Sequence, residues 1–343
     1  MKQHLSQRAQ ELPGSPTLEL ANLVNELKAS GRDILSFALG EPDFETPPRA
    51  RDRAKAAIDE GHTHYTGNAG ISPLRNAARQ HFARSLGLDY AEEQILISPG
   101  AKFSLHLALQ TILDPGDEVL VPTPVWVSTC PQLSLCGATP VRVPAREQSG
   151  FIPSPADLAQ ACTDRTRLIV LCSPNNPTGA VYSRQVLEEI ADLALERDLL
   201  VLSDEIYQSL VYGEHRHVSI ASVRPDMVER TMVVWGMSKS YAMTGWRIGV
   251  AAGPHDWIKA CARLQSHTTS CASSVSQYAS LGAILGCDED VEAMREEFNR
   301  RRLYMVGRLR RMPGVTCTEP HGTFYVFPGI TGCLGRSLEG RVL

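Results

Sequence analysis

Leu199-Leu200-Val201-Leu202-Ser203-Asp204-Glu205-Ile206-Tyr207 decides how the chain is read: four aliphatic residues run without alternation and then give way at once to polar and aromatic side chains. A strand that is apolar at consecutive positions is buried on both faces, as in a parallel sheet covered by helices. The same form recurs at 95–97, 119–121, 168–172 and 232–234. Between two of these runs, Ser183 is placed to cap a helix on which Val186, Ile190 and Leu193 recur at three- and four-residue spacing. Buried strands alternating with amphipathic helices predict an α/β fold with a mainly parallel sheet.

The bulk numbers agree with an enzyme-sized globular protein. At 343 residues, 43% hydrophobic and 21% charged, the chain can bury one large core and a smaller one. A formal net charge of −4 lacks the basic surplus of a nucleic-acid binder. The first twenty residues mix Lys, Gln, His, Arg, Glu and Pro without an apolar core, and no apolar run reaches membrane-spanning length. Nine cysteines without a Cys-x-x-Cys pair fit reduced thiols, so a cytoplasmic location is expected.

In sheets of this kind ligands sit at the carboxyl ends of the strands. The residues there are Ser98-Pro99-Gly100-Ala101-Lys102, Pro122-Thr123-Pro124-Val125-Trp126, Ser173-Pro174-Asn175-Asn176-Pro177-Thr178-Gly179, Ser203 to Tyr207, and Trp235-Gly236-Met237-Ser238-Lys239. A desolvated lysine loses basicity and becomes a nucleophile toward a carbonyl, which makes Lys239 a candidate. Alone it reads as a surface residue; its neighbours change that. Arg247, eight residues on, offers a planar fork for a phosphate, and Gly100, Ala101 and Lys102 open a helix whose first amides offer a second contact. Asp204, at the end of a very apolar strand, either has its own pKa raised there or demands a cation such as a pyridinium nitrogen; a helix cap or a structural ion pair is an equal reading for that residue alone. Tyr207 and Asn176 can hydrogen-bond a ring phenolate oxygen, although Tyr207 by itself reads as a core aromatic.

Toward the end, Met294, Phe298, Met305, Leu309 and Met312 predict a long helix closed by Pro313-Gly314. Its arginines, Arg300, Arg301, Arg302, Arg308, Arg310 and Arg311, read as a solvated face, and 324–327 reads as another strand. Three other chemistries fit poorly. Gly236-Met237-Ser238-Lys239-Ser240 lacks the final glycine of a hydrolase nucleophile elbow, and no Gly-x-Gly-x-x-Gly turn supports a dehydrogenase. The pairs His62/His64 and His215/His217 lack a third ligand nearby, so no metal is expected.

The ordered set Gly40-Glu41-Pro42-Asp43-Phe44, Tyr65-Thr66-Gly67-Asn68-Ala69-Gly70, Asp114-Pro115-Gly116-Asp117-Glu118, Asn175 to Gly179, Asp204 to Tyr207, and Ser238-Lys239 through Arg247 closely resembles the class I, fold type I aminotransferases that use pyridoxal phosphate. The likeness is to their bacterial aspartate aminotransferase-like branch and runs from about residue 15 to 327. It implies that Lys239 holds the cofactor as a Schiff base and shuttles the proton, that Asp204 pairs with the ring nitrogen, and that Tyr207 and Asn176 contact the phenolate oxygen. Trp126 would stack on the ring, Arg247 with Gly100, Ala101 and Lys102 would hold the phosphate, and Gly40 would meet the substrate beside Trp126 and Asn176. Tyr65 would reach the phosphate of a neighbouring subunit, which implies a homodimer with shared sites.

The same resemblance implies a large domain at 44–286 with a mostly parallel seven-stranded sheet covered by helices on both sides. A smaller α/β domain would come from both chain ends: an N-terminal arm and part of that domain at 1–43, and an interdomain helix with an incomplete remainder at 287–343. Family members continue some tens of residues past the position of Leu343 and there carry the arginine that clamps the substrate carboxylate. The implied reaction moves an amino group between an L-amino acid, aspartate or similar, and a 2-oxo acid, with no nucleic-acid or membrane partner. A lyase or synthase on the same fold, or a truncated cofactor-binding protein with little turnover, is the alternative.

Overall fold

The computed structural model describes residues 4–6, 9, 10, 12, 14, 16–37, 40–338, 341 and 342. Seven strands, β1 (Ile95–Ser98), β2 (Glu118–Thr123), β3 (Thr139–Pro144), β4 (Thr166–Cys172), β5 (Leu200–Asp204), β6 (Thr231–Gly236) and β7 (Gly249–Ala252), form one sheet in the order β1-β7-β6-β5-β4-β2-β3. Strands β3, β2, β4, β5 and β6 run parallel, while β7 is antiparallel to both β6 and β1.

The five unbroken apolar runs all become strands, and alternate residues along each supply the two faces of the sheet. Val233 and Trp235 of β6 face a core built with Leu74, Ala78 and Phe82 of one helix and Ala279 and Ala283 of another. Met232 and Val234 face the opposite core, with Leu107, Trp257 and Ile258. Among the described residues there are eight helices of ten residues or more, α1 (Pro16–Ala29), α2 (Pro48–Asp59), α3 (Ser72–Leu86), α4 (Ala101–Gln110), α5 (Arg184–Glu196), α6 (His255–Ser266), α7 (Ser274–Gly286) and α8 (Asp288–Leu309), of which α2 to α7 contribute to the cores on the two faces. Helix α5 begins as its sequence predicts, with Ser183 Oγ accepting from the Val186 amide at 3.3 Å, and buries Leu187, Ile190 and Ala191 against β4 and β5. No helix among the described residues is long and apolar enough to cross a membrane.

Two strands escape the apolar-run criterion for physical reasons. β3 lies at the sheet edge, where only Val143 is buried and where Pro140 and Pro144 are tolerated. β7 is Gly-Val-Ala-Ala because the start of α4 lies directly on it: a Cβ on Gly249 would run into the backbone of Gly100 and Ala101.

The expected strand at 324–327 is absent. Pairing occurs instead between Thr316–Cys317 and Pro328–Gly329, because Thr323, at φ +62°, turns the chain so that Phe324 and Tyr325 both face inward rather than alternating. The long C-terminal helix is present, but α8 ends at Leu309 and leaves Met312 outside it, 47% exposed. Met294 and Phe298 of α8 pack against Ile206, Tyr207, Leu210 and Tyr212, which ties the helix to the segment leaving β5.

Phe82 is fully buried, edge-on to Tyr90 at 5.9 Å and to Trp235 at 5.8 Å. Phe82→Ala is expected to lower unfolding stability by about 3–5 kcal/mol in urea titrations. A loss below about 1 kcal/mol would contradict this packing.

Candidate active site

The carboxyl ends of β1, β2, β4, β5 and β6 open into a cavity of about 970 Å³. Nine residues singled out by sequence line it or its rim: Gly40, Ala101, Lys102, Trp126, Asn176, Asp204, Tyr207, Lys239 and Arg247. Gly100 sits just behind, at φ +91°, where a Cβ would collide with the Arg247 guanidinium; only glycine permits both the turn and that approach. Tyr65 does not join them within this chain. It is 90% exposed.

Lys239 enters from a short helical turn, Met237–Ser240, at the end of β6. Its Nζ donates to the Gly40 carbonyl at 2.5 Å and lies 6.0 Å from the centre of the Tyr207 ring. Burial lowers the amine to about 8 against the attraction of Glu41, and Arg247 lowers it further. Asp204 closes β5 and is 8% exposed. Burial raises its carboxyl to about 7, although Oδ1 accepts from the Ile206 amide at 3.2 Å and Lys239 favours its charged form. The site therefore holds, in one cavity, an acid and a base that burial draws toward neutral pH.

On the opposite wall, Asn176 Nδ2 donates to the Tyr207 hydroxyl at 3.4 Å. Burial pushes the Tyr207 phenol well up, so it stays protonated and able to donate. The Lys102 ammonium stands 4.8 Å over the Trp126 ring, and burial together with Arg247 lowers its basicity. Arg247 has a left-handed backbone, φ +56°, and its Nη1 donates to the Thr244 carbonyl at 2.8 Å. Thr244 in turn donates to Glu41, and the Trp246 indole donates to Thr46 Oγ1 at 3.0 Å. Those contacts pin the segment that carries the guanidinium beside the start of α4.

The donor set suits pyridoxal phosphate. An amine of reduced basicity suits its aldehyde, Arg247 with the first amides of α4 suits its phosphate, a buried carboxylate suits a protonated ring nitrogen, and Asn176 with Tyr207 suits a phenolate oxygen.

Sequence reasoning missed part of the lining. Arg301 and Arg302 belong to the cavity wall and not to the solvated face assigned to them, whereas Arg300, Arg308, Arg310 and Arg311 are on the outside. Arg301 bonds Asp43 at 2.7 Å and Glu297 at 2.8 Å. The Arg302 side chain is 9% exposed, bonds Glu319 at 2.8 Å and lies 5.1 Å over the Tyr212 ring. The signal was available: both stand three and four residues after Phe298, on its buried stripe. Phe324 and Tyr325 were hidden by their reading as strand. Of the paired histidines, His217 bonds buried Glu205 at 2.8 Å, His215 stacks on His321 and His62 on Tyr278.

The shifted groups give the ligand-free protein a particular pH response. Native Asp204 keeps, between pH 3.8 and about 7, a proton that the unfolded chain has lost, so stability falls as pH rises through that window. Lys239 works the other way. Between about 8 and 10.5 the unfolded chain holds a proton that the native state lacks, so stability rises with pH there. Urea titrations across these ranges are expected to lose the first slope in Asp204→Asn and the second in Lys239→Met; slopes unchanged in the variants would assign the linkage to other groups.

Comparison with known proteins agrees with this geometry. The model of the family described as aminotransferase class I and II matches residues 32–334. The aspartate aminotransferase of Geobacillus stearothermophilus is 44% identical over 324 residues, covering 94% of this chain and 82% of that protein. The aspartate/prephenate aminotransferase of Cereibacter sphaeroides is 41% identical, covering 98% and 84%. Among solved structures, the Rhizobium meliloti aspartate aminotransferase superposes with a TM-score of 0.93 at 39% identity, covering 97% of this chain and 83% of that one. The Thermus thermophilus aspartate aminotransferase with maleate gives 0.91 at 40%, covering 94% and 84%. With the family model spanning most of its length and solved aspartate aminotransferases superposing on the same fold, the chain belongs to the class I and II aminotransferases, enzymes whose cofactor is pyridoxal phosphate.

Proposed function

We propose that the protein transfers the amino group of aspartate, or a similar L-amino acid, to a 2-oxo acid, with Lys239 as the point of covalent attachment of pyridoxal phosphate. The observation that carries the reading is the amine of Lys239, drawn down to about 8, facing the same cavity as the buried Asp204 carboxyl. When bound, the cofactor supplies an electron-withdrawing ring that accepts the electron pair left when the substrate Cα loses its proton.

The chain's own groups do the rest. Lys239 Nζ, a free amine in a usable fraction near neutral pH, would take the proton from Cα and deliver it to the cofactor's C4′, on the far side of the linking nitrogen. The Asp204 carboxylate holds a proton on the ring nitrogen, and its burial strengthens that ion pair. Tyr207 Oη and Asn176 Nδ2 donate to the ring oxygen. Trp126 covers one face of the ring, while Arg247, Gly100, Ala101 and Lys102 hold the phosphate. Gly40, with Trp126 and Asn176, meets the substrate. Tyr65, exposed in the single chain, is available to reach the phosphate in a second copy, which supports a homodimer as the working unit, and the free cysteines fit a cytoplasmic location. The division into a large domain at 44–286 and a smaller one from both ends belongs to the same reading, in which the Arg301 to Asp43 ion pair joins the two chain-end segments of the smaller one.

Borohydride reduction of the loaded protein followed by peptide mapping is expected to find the adduct on Lys239. Lys239→Ala should cut turnover of aspartate with a 2-oxo acid by at least about 10³-fold, and Asp204→Asn by about 10²–10⁴-fold while cofactor stays bound. An adduct on Lys102, or undiminished turnover in either variant, would sink these assignments.

A further inference from the structure

No motif in the sequence singles out Tyr325, yet its hydroxyl stands 2.9 Å from that of Tyr207, and Asn176 Nδ2 reaches it at 3.5 Å. Gly40 lies beneath it. A Cβ there would strike the Tyr325 ring and hydroxyl.

The backbone that presents Tyr325 is held unusually firmly. Thr323, a β-branched residue 1% exposed, sits at φ +62°, a conformation such residues adopt only where their surroundings impose it. Its amide donates to the Leu210 carbonyl at 2.8 Å, its carbonyl accepts from Tyr212 Oη at 2.5 Å, and its Oγ1 accepts from the Tyr325 amide at 3.2 Å. Just before it, the amides of His321 and Gly322 both donate to the Gly179 carbonyl. The Tyr325 hydroxyl is therefore aimed by a network anchored on the segments that follow β4 and β5.

A phenol has a single proton to donate. In the reading proposed above, on which this inference rests, Tyr207 gives that proton to the cofactor's ring oxygen. Its contact with Tyr325 can then be made in only one sense, with Tyr325 as the donor. A hydroxyl that accepts a hydrogen bond also donates a stronger one.

We propose that Tyr325 is a positioning residue that donates into Tyr207 Oη, fixing Tyr207 as a donor to the cofactor's ring oxygen and strengthening that bond. It acts through Tyr207 and touches neither the reacting carbon nor the attached lysine.

The test uses the loaded protein and follows the pH midpoint of the bound cofactor's visible absorption band. Charge on the ring oxygen stabilises the protonated nitrogen that attaches the cofactor, and donors to that oxygen weaken this effect. Removing a donor, or weakening one, therefore raises the midpoint. Tyr325→Phe keeps the ring and is expected to raise it by about half a unit, less than Tyr207→Phe does. The double variant should match Tyr207→Phe alone, because the two hydroxyls act in series. An unmoved midpoint in Tyr325→Phe, even with lowered thermal stability, would mark a purely structural tyrosine and overturn the proposal. Additive shifts in the double variant would also overturn it, since Tyr325 would then act directly. If the wild-type protein develops no visible band with the cofactor, the cofactor reading itself has failed and the proposal falls with it; a band that titrates in the wild type but is unmoved in Tyr325→Phe defeats the relay alone.

Discussion

A parallel sheet covered by helices on both faces leaves almost nowhere for polar chemistry except the ends of its strands. That constraint organises the molecule. Because β4, β5 and β6 are buried along nearly their whole length, the first residues free to be polar are those where each strand stops, and the strands stop side by side. Asn176, Asp204 and Lys239 are far apart in sequence and meet because their strands are neighbours in the sheet. The antiparallel β7 completes the arrangement, since it begins opposite the end of β6, with Gly249 paired to Gly236, and so keeps the connection that carries both Lys239 and Arg247 at that edge.

Enclosure then does chemical work without any unusual residue. The same removal from water moves an acid up and a base down, so Asp204 and Lys239 both come close to neutral pH from opposite ends of the scale. Neighbouring charges only trim this effect. In Lys239 the pull of Glu41 and Asp204 works against burial, whereas Arg247 works with it, and burial remains the largest influence.

Much of this was legible in the sequence because it rests on contiguous signals. Unbroken apolar runs gave five of the strands, and the segments directly after them gave seven of the nine predicted positions at the cavity, including Lys239 and Asp204; Arg247 was read from its distance to Lys239, and Gly40 came from the family resemblance alone. What escaped depends on contacts between distant segments. β7 is spelled in small residues because α4 lies on it, and no local rule announces that. The inward turn of Phe324 and Tyr325 depends on Thr323 being held by Leu210 and Tyr212. Arg301 and Arg302 follow the helical stripe set by Phe298, but charged side chains were given to solvent by default, and here ion pairs with Asp43, Glu297 and Glu319 keep them at the wall.

The cationic corner of the cavity has a wider consequence. Lys102, Lys239 and Arg247 stand near enough that Arg247 weakens the basicity of both lysines, so like charges gather at the start of a helix whose dipole adds to them. A dianionic occupant relieves that repulsion only in the folded chain, and its binding energy is thereby added to the stability of the fold. Cofactor binding and folding are thus linked in one free energy, so conditions that favour the one favour the other.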